Sequence, residues 1–177
     1  SAGFAWVVVD RIDTPYAVLV GQMLLLGTGL GIVSATATEV VMGSISSDRL
    51  GLASSLNDTA RELGGTLGVA AMGSVFNAVY RADVTAAFAG SPLPAEAQSA
   101  IRQSLGVAMS VAERVGQVAG AAAESKVRGP VFDAFIAGFH ASSLVAAALA
   151  LVAAAAVFLA MPRHLSSVSA PREERLQ

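Results

Sequence analysis

Long runs without Asp, Glu, Lys or Arg constrain this chain more than any motif. Tyr16 to Thr38, Leu63 to Val79 and Phe139 to Met161 carry no such residue. A helix that crosses a bilayer needs about 20 predominantly apolar residues, and uncharged runs of this length argue against a fold in water. Composition agrees. The chain of 177 residues is 54% hydrophobic and 14% charged, where soluble domains carry roughly 25% charged residues. Mean hydropathy is +0.64, supplied by Ala, Val, Leu and Gly rather than by aromatics. A net charge of −2 is unlike the clustered basic footprint of a nucleic-acid binder. With no cysteine there is no disulfide and no thiolate metal site.

Read along its length, the sequence predicts an all-α membrane helical bundle. Ala2–Val9 is apolar but too short to cross. The chain begins SAGFAWVVVD inside an apolar run, which predicts the tail of a truncated spanning helix in a longer protein. Asp10-Arg11-Ile12-Asp13-Thr14-Pro15 makes a polar turn, and Pro15 suits the first turn of the helix that follows. The predicted spans are 16–45, 50–80 and 131–161. Gly27 and Gly31, with Gly21 and Gly29, punctuate the first span, and Gly64, Gly68 and Gly73 line the second. In water such glycines weaken a helix by roughly 1 kcal/mol each; in lipid they let backbones approach, so these positions are expected helix-packing sites. Gly27-Thr28-Gly29-Leu30-Gly31 is no dinucleotide fingerprint, because the third glycine is misplaced and no strand precedes it.

Residues 81–130 differ. Gly90-Ser91-Pro92-Leu93-Pro94 reads as a loop. Ala95–Lys126 then reads as an amphipathic helix or helical hairpin, with Ile101, Leu105, Met109, Ala112 and Val115 recurring at three and four. It carries too many charges to cross lipid. Pro162-Arg163-His164 ends the last span, and the polar tail Leu165–Gln177 is expected to be disordered. Placing that tail in the cytoplasm also places the Asp48–Arg49 turn there and the hairpin outside. The charge balance leans this way only slightly, since Arg102, Arg114, Lys126 and Arg128 lie in the hairpin, a long loop that counts little in orientation. Trp6, Tyr16 and Tyr80 fit interface anchors.

GLGIVSATATEVVMGSIS followed by GLASSLNDTARELGGTLGVAAMGSVFNAVY closely resembles the drug:proton antiporter branch of the major facilitator superfamily with fourteen spanning helices, the EmrB/QacA-like exporters, and most of all its actinobacterial members. The resemblance is strong over Tyr16–Tyr80 and loose over Phe132–Arg163. It implies that the spans are the last three helices of a much longer multi-pass transporter in a bacterial plasma membrane, with a cytoplasmic C-terminus and N-terminal helices lying outside this sequence. It also implies export of small hydrophobic or cationic drugs in exchange for protons, by alternating access, with this piece inactive alone. Some members carry an external hairpin between the last two helices, where Ala95–Lys126 sits.

Charged residues in the second span are the candidate site. Asp58, Arg61 and Glu62, at spacings of three and four, fall near one broad helix face. An ionisable group inside a membrane helix marks a functional position by default. The resemblance makes them a gate or a wall of the substrate path; the plainer reading is interfacial charges snorkelling to headgroups. Asn57 fits a glycosylation acceptor pattern, but at a helix start its amide is better placed to bond a neighbouring helix. Glu39 could reach Arg61 across the helix interface, as a proton-responsive acid or a structural ion pair. His140 is either a proton relay or a satisfied polar contact near the outer interface, and Asp133 is a surface charge. No Ser–His–Asp, Cys–His or clustered-His pattern points to catalysis or a metal, and no cofactor motif occurs. A transporter piece is therefore the first function class. A non-transporting membrane scaffold or interaction module comes second, and a soluble Ala-rich helical protein third.

Overall fold

The uncharged runs, as far as they are described, lie within three long helices. In the computed structural model, which describes residues 1–10, 13–43, 45–46 and 49–160, the elements are α1 (Ala2–Val7), α2 (Tyr16–Gly43), α3 (Leu50–Ala87), α4 (Ala95–Ile101), α5 (Leu105–Ala119) and α6 (Ala121–Ala160). All regular structure among the described residues is helical, and α2, α3 and α6 are each long and apolar enough to cross a membrane. The chain thus forms an all-α membrane helical bundle. The polar turn around Arg11 and Ile12, part of the Asp48–Arg49 turn, the stop at Pro162-Arg163-His164 and the tail Leu165–Gln177 lie wholly or partly outside the described residues.

Two helices overrun their predicted spans. α3 continues past Tyr80 to Ala87, and α6 begins at Ala121 rather than at Val131. At 1.5 Å per residue, 38 residues of α3 and 40 of α6 reach about 57 and 60 Å. The hydrocarbon layer is about 30 Å thick, so both project well beyond it. Pro130 sits inside α6, although a proline normally removes a helix hydrogen bond and kinks the backbone. Val127 and Val131, on either side of it, are both buried in the core, and their packing holds the helix through the proline.

The projecting ends wrap a small core with α4 and α5. α3 supplies Tyr80 and Val84, with Phe88 just beyond its end; α4 supplies Ile101; α5 supplies Ala108 and Ala112; α6 supplies Val127, Val131 and Ala134. The spacing of four or three within each helix puts these side chains on one face. Alanines on α5 let it lie close against α6. The Ala95–Lys126 segment is not one helix. Ser104 starts α5, its hydroxyl accepting from the Val107 N–H at 3.3 Å. Gly120, at φ 87°, ends it in a conformation that side-chain-bearing residues rarely adopt. The buried face follows the amphipathic pattern in part: Ile101 and Ala112 are core and Leu105 and Val115 pack against it, while Ala108 rather than Met109 is the buried residue between them.

Tyr80 is not an interface anchor. It is buried, and its hydroxyl donates to the Ile101 carbonyl at 2.9 Å. Its ring stacks with Phe76, centroids 6.0 Å apart, and Phe135 meets Phe76 edge-on at 5.3 Å. Beside this aromatic group α3 and α6 approach closely. A Cβ added at Gly138 would lie 3.0 Å from the Phe76 carbonyl oxygen. On the other side α1 rests on α2, with Gly3 under Leu26 and Gly21 under the Trp6 ring.

Candidate functional site

Two of the sequence-predicted residues, Asn57 and Arg61 of α3, meet hydroxyls of α2 in an antiparallel ladder. Ser34 and Thr38 are one turn apart on α2; Asn57 and Arg61 are one turn apart on α3. Four residues forward on one helix match four back on the other, which is the register of an antiparallel pair. Arg61 Nη2 donates to Ser34 Oγ. Asn57 Nδ2 donates to Thr38 Oγ1 at 3.5 Å, and Thr38 Oγ1 donates to the Ser34 carbonyl at 2.9 Å. Toward the connection between the helices, Ala53 is fully buried.

Beyond the Ser34–Arg61 rung the expected packing glycines of both helices stand clear of any neighbour. A Cβ added at Gly27, Gly31, Gly64, Gly68 or Gly73 would meet nothing within 4 Å. The expected packing role of these glycines is therefore not exercised within this chain, where Gly3, Gly116 and Gly138 are the glycines held tightly against another segment instead. The sequence could not separate the two sets, because a glycine in an apolar helix looks the same whichever side its partner is on.

Glu39, Asp58, Arg61 and Glu62 are exposed. Arg61 is joined to Ser34 and not to Glu39, and among the described residues no cation pairs with Glu39, Asp58 or Glu62. The arrangement is a hydroxyl-and-amide seam that fixes one guanidinium, flanked by carboxylates on a face this chain leaves bare. Ionisable groups at membrane depth face protein or water rather than acyl chains.

A second polar cluster escaped the sequence reading. Asp10, taken there as part of a turn, is buried, and its Oδ1 accepts from Gln22 Nε2 at 2.7 Å. Gln22 is itself buried. His140 Nε2 lies 2.8 Å from the Asp10 carbonyl oxygen, the satisfied polar contact of the two readings weighed for it. One residue from each of three segments thereby ties the end of α1 to α2 and α6. The available signal was a lone Gln in an otherwise aliphatic run. Asp133 is exposed.

This bundle is a multi-pass membrane protein, and its similarities lie with a multidrug efflux pump and a multidrug transporter protein. The chain is 29% identical to the multidrug efflux pump LfrA of Mycolicibacterium smegmatis over 163 residues, covering 92% of this chain and 31% of that protein. It is 32% identical over 78 residues to the multidrug transporter protein MdtP of Bacillus subtilis, covering 44% of this chain and 14% of that protein. The chain thus spans less than a third of the length of either curated relative. No family model and no solved structure matches it.

Proposed function

We propose that the chain is part of a multidrug efflux transporter of the major facilitator superfamily, of the EmrB/QacA-like branch. In this reading α2, α3 and α6 belong to the C-terminal half. Helices outside this sequence cover the bare faces, and the C-terminus lies in the cytoplasm of a bacterial cell. The similarity to LfrA along 92% of the chain carries the proposal. The ladder supports it by indicating where the path would run. Substrate would bind near the midplane between two halves that rock to expose it alternately, and wide apolar walls with few polar anchors suit varied lipophilic ligands. Arg61 is the fixed positive element, while Glu39, Asp58 and Glu62 face the path as sites for protons or cationic drugs. No catalytic chemistry is assigned.

The test is efflux of ethidium, a lipophilic cation, by the transporter that contains these helices. Arg61→Ala, at matched expression, is expected to cut the initial efflux rate at least about tenfold, the loss of roughly 1.4 kcal/mol in a conformational step. The isolated chain in liposomes is expected to build no ethidium gradient under an imposed proton gradient. Unchanged efflux in Arg61→Ala favours the second reading, a membrane scaffold. The bare small-residue faces at Gly64 and Gly68 give that reading its footing, since such faces also serve plain helix association.

A further inference from the structure

A pocket of about 520 Å³ opens between α3 and α4, lined by Asn77, Arg81, Ser99, Arg102 and Gln103. Every lining residue is polar, two are arginines and none is an acid. Asp83, two residues past Arg81, points about 200° further round the helix and so away from this side.

Its depth is set by the sequence. Arg81 is the first charge after the uncharged run Leu63 to Tyr80, which as helix is about 27 Å long. That matches a hydrocarbon layer of about 30 Å, so Arg81 stands where the lipid phosphates begin. Rigidity is set by the fold. The Tyr80 hydroxyl donates to the Ile101 carbonyl at 2.9 Å, and these are the chain neighbours of Arg81 and Arg102. The bond therefore pins the two arginine-bearing backbones together. Arg102 is held further, its Nε donating to the Gln98 carbonyl at 3.1 Å, while Gln98 Nε2 donates to the Leu93 carbonyl at 3.0 Å. The terminal nitrogens of both guanidinium groups have no carboxylate partner among the described residues, whose ion pair joins Arg128 to Glu124 instead.

We propose that this pocket binds the phosphate group of an acidic phospholipid. Two guanidinium groups offer forked donors to the phosphate oxygens, and Asn77, Ser99 and Gln103 can donate to the phosphate or to headgroup hydroxyls. Two arginines without an acidic side chain in the pocket lining, at the depth of the headgroups, suit an anionic headgroup. The site is separate from the polar ladder, and the inference stands whether or not the chain is part of a transporter.

The test is native mass spectrometry of the whole purified chain, titrated with phosphatidylglycerol or phosphatidylcholine. The unmodified chain is expected to prefer phosphatidylglycerol. R81Q/R102Q is expected to bind it about tenfold more weakly, and R128Q, outside the pocket, as the unmodified chain does. Equal retention of both lipids, or unchanged phosphatidylglycerol binding in R81Q/R102Q, overturns the proposal. Inorganic phosphate that displaces the lipid at equal concentration moves the site to a soluble anion and overturns the lipid assignment. A phosphatidylglycerol with a photoreactive headgroup gives a second measurement that needs no variant. Its label is expected on peptides from 77–103 of the unmodified chain, and label found only elsewhere overturns the site.

Discussion

Where α3 ends and α6 begins, side chains at successive turns disappear into a shared core; along residues 58–67 of α3 and 151–160 of α6 the same two helices are bare. Val84, Ile101 and Val131 are at most 1% exposed, whereas Leu67 and Phe158 are 70% and 77% exposed. The difference is not one of hydrophobicity, since the bare region is the more apolar. It lies in what covers each surface. The projecting cap stands beyond the lipid, must bury its apolar face by itself, and does so with α4 and α5. The belt is embedded, and lipid tails or further helices cover it without help from this chain. An exposed Leu in the belt therefore has no energetic penalty, while an exposed Leu in the cap does.

The comparison breaks first at Ile101. Ile101→Ala should destabilise the cap by about 2–5 kcal/mol through lost burial and a residual cavity. Leu67→Ala should change stability by less than about 0.5 kcal/mol, as substitutions away from packed features do. The measurement is thermal unfolding of the chain in detergent, followed by circular dichroism; equal losses would mean that the belt is covered after all. Next is Gly138. Gly138→Leu drives a Cβ against the Phe76 carbonyl and should lose about 1–3 kcal/mol by overpacking, in the same assay. Gly68→Leu, in open space, should be close to neutral. Gln22→Leu sharpens the boundary between cap and belt. It leaves the buried Asp10 carboxylate without its donor and should weaken the tie between α1 and α2 by about 1–3 kcal/mol. Faster amide hydrogen exchange in α1 is the readout, and unchanged exchange would mean that His140 alone holds the segment. Smallest is Glu124→Gln. It removes a 3.6 Å pair to Arg128 whose partners are 33% and 55% exposed, and should shift stability by less than about 0.5 kcal/mol.

Several of these contrasts were legible in the residues. The three apolar helices follow from uncharged runs, and much of the buried face of α5, at Leu105, Ala112 and Val115, follows from the three-and-four spacing. Helix ends were harder. Val79 and Tyr80 end an apolar run, so the span was drawn to stop there. Yet backbone hydrogen bonds continue through Arg81 and Asp83, because charge at a membrane boundary ends a crossing without ending a helix. The span drawn from Val131 starts later than α6, which begins at Ala121 and runs through Pro130 because the residues on both sides of it are packed. In the candidate site, the positions of Asn57 and Arg61 on one face could be read from their spacing. Their partners Ser34 and Thr38 could not, because which faces meet depends on how two helices cross. Asp10 and Gln22 lie too far apart in the chain for spacing to link them.

The residues alone determined that this chain is helical, that three of its helices are oily enough to sit in a bilayer, and that the segment between the last two spans is amphipathic. Those properties depend on composition and period, which each segment carries by itself. Only the tertiary structure decided which glycines touch a neighbour, that Tyr80 is core rather than anchor, that Arg61 meets Ser34, and that two arginines from separate elements share a pocket. Such facts arise from the relative placement of whole helices. Close-packed contact between distant segments chooses that placement, and no single window of sequence contains it.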